Sequence, residues 1–258
     1  MMQRGKAMKL ISLMAVLLMV AGCAGGGNAV KQQNTERAKN SAKVHTELAG
    51  LYFEREQMGI ALSEIDLALK ADGQYAPAYS VRGLIHMSLR EDKEADDDFQ
   101  QSLRLDKTDS EAHNNYGWFL CQRGHESESI AHFMAAVKNP LYTTPERAYL
   151  NAGLCMQKAG NNKDAEDFLL RALRVQPDLV QALLAMTELK FAAGDYPAAK
   201  RYFANYSQRT ENLTAGQLWL AVRIERKLGD DNAEASYGLQ LRKRYPDARE
   251  TQLLMHGE

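Results

Sequence analysis

The sequence predicts an all-α solenoid of six helical hairpins, and three registers sharing one period predict it. Small residues recur at Ala61, Ala95, Ser129, Ala165, Ala199 and Ala233, at spacings of 34, 34, 36, 34 and 34. A second small register runs through Ala49, Gly83, Gly117, Gly153, Thr187 and Ala221, and a bulky one through Ile65, Phe99, Phe133, Leu169, Phe203 and Tyr237. Self-similarity at a fixed period of this length marks a stacked array of helix–turn–helix units. The small residues let neighbouring backbones approach, and the bulky ones fill the space between them.

The N-terminus reads as an address. Arg4, Lys6 and Lys9 precede an apolar run from Leu10 to Val20 that is broken only by Ser12. That run is shorter than the about 20 apolar residues needed to cross a bilayer as a helix, and residues 1–22 are expected to be a signal peptide. The run ends in Val20-Ala21-Gly22-Cys23, which resembles a bacterial lipobox and implies cleavage and acylation at Cys23. With Ala24 rather than Asp next, the same resemblance implies sorting to the outer membrane, on its periplasmic side. Met8 serves equally well as a start. Loss of the leader removes three cations and leaves 29 basic against 33 acidic side chains. Residues 23–41 are Gly-rich and polar, and are expected to be a lipidated flexible tether.

The repeats follow as 42–75, 76–109, 110–145, 146–179, 180–213 and 214–247, with 248–258 expected as a frayed tail. Their inner turns carry Gly124, Gly160 and Gly194 at the fifteenth position and Gly229 one place later, where a left-handed residue suits glycine. Pro177 and Pro246 close the fourth and sixth units, and only six prolines interrupt the chain. The third unit holds two extra residues, placed in Lys138–Pro145. The first is atypical, with Glu56 and Gly73 where Gly and Pro are expected, and the fifth departs at Thr187 and Tyr206. The pattern resembles the tetratricopeptide repeat. That resemblance implies a right-handed superhelix whose A helices line a groove through positions 2, 5, 9 and 12. Candidate docking residues in that groove are Gly50, Phe53, Leu84, Met87 and Trp118, since aromatic and Met side chains anchor interfaces. The alternative is that stacking buries them between repeats.

Chemistry-bearing motifs are absent. There is no phosphate loop, H-E-x-x-H or G-x-S-x-G, and 32 basic against 33 acidic residues give no nucleic-acid footprint. The six histidines, His45, His86, His113, His125, His132 and His256, show no i, i+4 pair and read as packing or surface residues. The acidic run Glu91 to Asp98 lacks an EF-hand glycine hinge and reads as a helix start, where carboxylates complement the macrodipole. No catalytic residue, metal, cofactor or small-molecule substrate is expected. Cys121 and Cys155 sit on neighbouring A helices in an oxidising compartment and are expected to form a disulfide; two buried free thiols are the alternative.

The stretches Asn114-Asn115-Tyr116-Gly117-Trp118-Phe119-Leu120-Cys121, Asn151-Ala152-Gly153-Leu154-Cys155 and Asp164-Ala165-Glu166, behind the lipobox, resemble the PilW/PilF family of type IV pilus biogenesis and stability lipoproteins. The resemblance covers essentially the whole chain. It implies a non-catalytic, pilotin-like scaffold that helps the pilus secretin to localise and oligomerise in the outer membrane, or stabilises pili, with the secretin or other pilus-assembly proteins as partners. The alternative is a repeat lipoprotein that assists β-barrel insertion or adapts cell-wall hydrolases.

Overall fold

The computed structural model describes the backbone of residues 23–257 and side chains from residue 32 to 257. The signal peptide assigned to residues 1–22 and the side chain of Cys23 therefore lie outside the described residues. Those residues form thirteen α-helices and no strand, as expected of a tetratricopeptide array. They divide into two compact units that meet in sequence between Lys107 and Thr108.

The first unit holds α1 (Cys23–Glu54), α2 (Met58–Ala71), α3 (Ala76–Leu89) and α4 (Asp92–Leu105). α1 and α2 form one hairpin, α3 and α4 the next, and α1 also touches α3. Residues 23–41, expected as a flexible tether, instead begin α1. No proline interrupts them, and their Lys, Gln, Glu, Arg and Ala are good helix formers. Between Gln32 and Asn40 every side chain is exposed except half-buried Ala38, so this part of the helix contributes nothing to a core. Packing starts at Ala42, which joins Ala49, Ala61, Ile65, Ala68, Ala78 and Ile85 in the apolar cluster. The close approach within the second hairpin is set by Gly83, where an added Cβ would lie 2.9 Å from the Phe99 ring.

Both inner turns of this unit use a residue other than glycine in the left-handed region, Glu56 at φ 60° and Arg90 at φ 63°. Arg90 occupies the position filled by Gly124, Gly160 and Gly194 in later repeats. The turn geometry is thus retained at a backbone cost of about 1–2 kcal/mol for a residue with a Cβ.

The second unit holds α5 (Ser110–Gln122), α6 (Glu126–Lys138), α7 (Pro145–Lys158), α8 (Asn162–Val175), α9 (Val180–Ala192), α10 (Tyr196–Ser207), α11 (Ala215–Leu228), α12 (Asp231–Arg244) and α13 (Arg249–His256). Four hairpins pair successive helices, and α5 touches α7 while α7 touches α9. The second helix of each hairpin instead packs on the first helix of the next, so the first helices form the tighter, inner side of the stack. Two apolar clusters divide the interior, one around Phe133, Leu169 and Met186 and one around Phe203, Leu218 and Leu241. Ser129 replaces the usual alanine at a close contact, and its hydroxyl donates to the Gly117 carbonyl at 2.7 Å. The atypical fifth repeat is absorbed in the same way. Thr187 donates to the Leu183 carbonyl at 2.8 Å, and buried Tyr206 packs beside Phe203 with ring centroids 6.0 Å apart.

Two local outcomes depart from expectation or lie beyond it. The segment 248–258, expected as a frayed tail, forms α13 and packs on α11 and α12. Leu254 of α13 sits against Gly238, 3.3 Å from where its Cβ would be, and buried Thr251 donates to the Tyr245 carbonyl at 2.6 Å. Covering the otherwise open apolar face of the last repeat orders these residues. In the lengthened connection, Tyr142 turns inward and is buried, while Leu141 is 84% exposed.

Candidate protein-docking faces

The residues proposed from sequence for a groove fall in both units. Gly50, Phe53, Leu84 and Met87 lie on α1 and α3 of the first, and each is half-buried. Phe53 packs on the unit's apolar cluster, and nothing lies within 4 Å of a Cβ placed on Gly50. Trp118 lies on α5 of the second unit, half-buried against the cluster that also carries Leu154.

A charged network tightens the α3–α4 hairpin. The Arg82 guanidinium donates to both carboxylate oxygens of Asp98, at 2.8 and 2.6 Å. This bidentate pair holds the guanidinium pKa above its ordinary value. His86 adds contacts at 2.5 Å to Glu91 and 3.7 Å to Asp98. Asp98 is the one carboxylate of the acidic run that becomes buried, and its partners account for that. Among the described residues no group of three or more His, Cys, Asp or Glu is arranged to hold a metal.

Two pairs span 19 residues across a hairpin, His45 with Glu64 at 2.7 Å and His113 with His132 at 2.9 Å. Each joins the fourth residue of a repeat to its twenty-third. A search for i, i+4 histidines misses this pairing, which the repeat register itself exposes. Burial and then the neighbouring His113 push the His132 pKa down to about 4, so the ring is neutral near pH 7. Tyr116 meets it edge-on with centroids 4.7 Å apart.

In the second unit the distinctive segments of α5 and α7 form one joint. Cys121 and Cys155 are fully buried and disulfide-bonded, with Cα atoms 5.8 Å apart. Asn151 donates to the Asn114 side-chain carbonyl at 3.0 Å. Lys158 reaches the carbonyls of Cys121 and Gln122 at 3.3 Å, completing the end of α5. Gly117 and Gly153 admit Phe133 and Leu169, whose atoms would lie 2.9 and 2.7 Å from an added Cβ. The Asn, Gly and Cys of each segment therefore have separate packing tasks, while Trp118 and Leu154 face the inner side. The Tyr142 hydroxyl, deep in the adjoining connection, is pushed up to about 12 by burial.

Tetratricopeptide-repeat family profiles match residues 76–109 and 99–131. The type IV pilus assembly protein PilF of Pseudomonas aeruginosa is 27% identical over 244 residues, covering 94% of this chain and 95% of that protein. The crystal structure of PilW, described as a widely conserved type IV pilus biogenesis factor, is 35% identical. It superposes with a TM-score of 0.75 over 83% of this chain and 98% of its own. A structure of Pseudomonas aeruginosa PilF, 25% identical, gives a TM-score of 0.76 over 86% and 99% of the two chains.

Proposed function

The chain belongs to the PilW family of tetratricopeptide type IV pilus biogenesis factors, and from that premise we propose that it is a non-catalytic scaffold for assembling the pilus secretin. Lipid on Cys23 holds it to the outer membrane, facing the periplasm. The inner helix faces hold a segment of the secretin, or of another pilus-assembly protein, so that subunits meet beside the membrane they must enter. Tethering turns a search through the periplasm into a near-intramolecular encounter, with effective concentrations of order millimolar.

The observation that carries this reading is the placement of Phe53, Leu84 and Met87 on the inner helices of the first unit and Trp118 on that of the second. All are half-buried rather than consumed by the core. Half-exposed aromatic and Met side chains on rigid helices are the groups that anchor protein interfaces.

The test is the quantity of SDS-resistant secretin multimer in fractionated membranes from wild type, a deletion, and Cys23→Ala. The scaffold reading expects multimers to disappear in the deletion and to shift toward the inner membrane in Cys23→Ala, with other β-barrel proteins unchanged. Multimers persisting in the deletion overturn it. A general loss of β-barrel proteins points instead to barrel insertion.

A further inference from the structure

The ninth residue of each of the first three repeats of the second unit lies on an inner helix: Trp118 on α5, Leu154 on α7 and Glu188 on α9. The first two are half-buried apolar side chains resting on the core. Glu188 differs from both: it is exposed, and among the described residues no hydrogen bond or ion pair engages its carboxylate. The nearby charges on these helices are satisfied. Glu111 accepts from Thr144 at 2.9 Å and lies 4.0 Å from Arg147, Lys158 is bound to α5 carbonyls, and Lys190 pairs with Glu166 at 2.6 Å. Leu184 and Phe191, four residues before and three after Glu188, share its helix face and are half-buried. Arg223 lies over the Phe191 ring, 4.4 Å from its centroid, yet forms no ion pair with Glu188. This unpaired carboxylate, in line with an aromatic and an aliphatic side chain, has the chemistry of a recognition subsite for a cation.

We propose that the inner face of α5, α7 and α9 docks an extended segment of a pilus-assembly partner, with two apolar side chains against Trp118 and Leu154 and a lysine or arginine against Glu188. Surrounding protein already strips part of the water from the carboxylate and holds its pKa above the ordinary value, so a partner cation relieves a desolvation present in the free chain. Packed helices lie about 8–10 Å apart and an extended chain advances about 3.3 Å per residue. One repeat therefore corresponds to about three partner residues. The partner motif is two apolar residues three apart, with Lys or Arg three further on, in either chain direction. Gln157, three residues from Leu154 on the same helix face, supplies a neutral amide donor and acceptor for the segment's backbone. Only the partner's identity rests on the scaffold reading above; the motif does not.

The full chain, purified in detergent, is panned against a library of random dodecapeptides, and the best peptide is synthesised with its cation intact or replaced by glutamate. Wild type should enrich the stated motif, and the glutamate peptide should bind about tenfold more weakly in fluorescence anisotropy, the order expected for a charge-assisted contact. Glu188→Lys should reverse that preference without changing the melting temperature, and Trp118→Ala should weaken both peptides. Absence of any enriched motif, or an unchanged charge preference in Glu188→Lys, overturns the proposal. If it fails while secretin multimers still depend on the chain, the docking assignment alone is wrong. If the motif emerges while multimers do not depend on the chain, the site stands and the scaffold reading falls.

Discussion

Gly153→Ala and Gly50→Ala make the same chemical change inside two helices and are expected to move stability in opposite directions. On α7, a Cβ at Gly153 would stand 2.7 Å from Leu169 Cγ, 2.9 Å from its Cδ2 and 3.2 Å from its backbone nitrogen. Leu169 is fully buried, so its branch carbon has no open space to enter, and the nitrogen belongs to the spine of α8. Overpacking of this kind costs about 1–3 kcal/mol, and two contacts under 3.0 Å with a backbone atom behind them put this site in the upper part of that range, about 2–3 kcal/mol. Replacing a helix-interior glycine returns about 0.5–1 kcal/mol, which leaves a net loss of about 1–2 kcal/mol. At Gly50 nothing lies within 4 Å of the new Cβ, so only the helix gain of about 0.5–1 kcal/mol remains. Thermal unfolding followed by far-UV circular dichroism should show Gly153→Ala lower by about 2–8 °C and Gly50→Ala higher by about 1–4 °C. Because repeat arrays can unfold in stages, amide exchange in α7 and α8 should locate the loss in that hairpin. Gly153→Ala as stable as wild type would refute the claim that the small-residue register sets helix approach.

Three further perturbations test other parts of the structure. Replacing Cys121 and Cys155 with serine opens a loop of 34 residues and is expected to cost about 4 kcal/mol on the chain-entropy estimate, read from urea midpoints; an unchanged midpoint contradicts it. For His132, the folded pKa of about 4 lies below the unfolded value near 6.5. The unfolded chain therefore takes up the proton first as pH falls, and the ring's share of stability is full above about pH 6.5 and lost toward pH 4. That share is roughly 2 kcal/mol between pH 7.5 and 5, and His132→Gln should flatten this part of the pH–stability curve, whereas an unaltered slope refutes the assignment. Arg90→Gly removes a Cβ from a residue at φ 63° and should raise stability by about 1 kcal/mol; a loss in melting temperature would show that the Arg90 side chain contributes more than its backbone costs.

Much of the fold was legible because each unit of the array repeats the same steric problem. Gly83, Gly117 and Gly153 recur where Phe99, Phe133 and Leu169 demand space, and one period exposes all three. What the period missed lies where the repetition stops. The start of α1 has no partner to impose an apolar pattern, so its composition resembles a linker although its residues favour a helix. α13 is short, and only Leu254 against Gly238 and buried Thr251 reveal why it folds. Tyr142 turns inward within an insertion that has no counterpart in other repeats. Pairings such as His113 with His132 were available in principle, since they recur at fixed repeat positions, but only a comparison of the fourth and twenty-third residues brings them out. Glu188 was legible only as the ninth residue of its repeat, the register it shares with Trp118 and Leu154. Its character comes from partners it lacks, which only the packed helices disclose.

The most direct test of the central claim is site-specific photocrosslinking in living cells, with the reactive residue placed in turn at Met87, at Trp118 and at exposed Lys163 on the second helix of its hairpin. The account predicts covalent products with the secretin or another pilus-assembly protein from Met87 or Trp118 and none from Lys163. Products confined to Lys163, or inner-face products made only with proteins of barrel insertion or cell-wall hydrolysis, would contradict it.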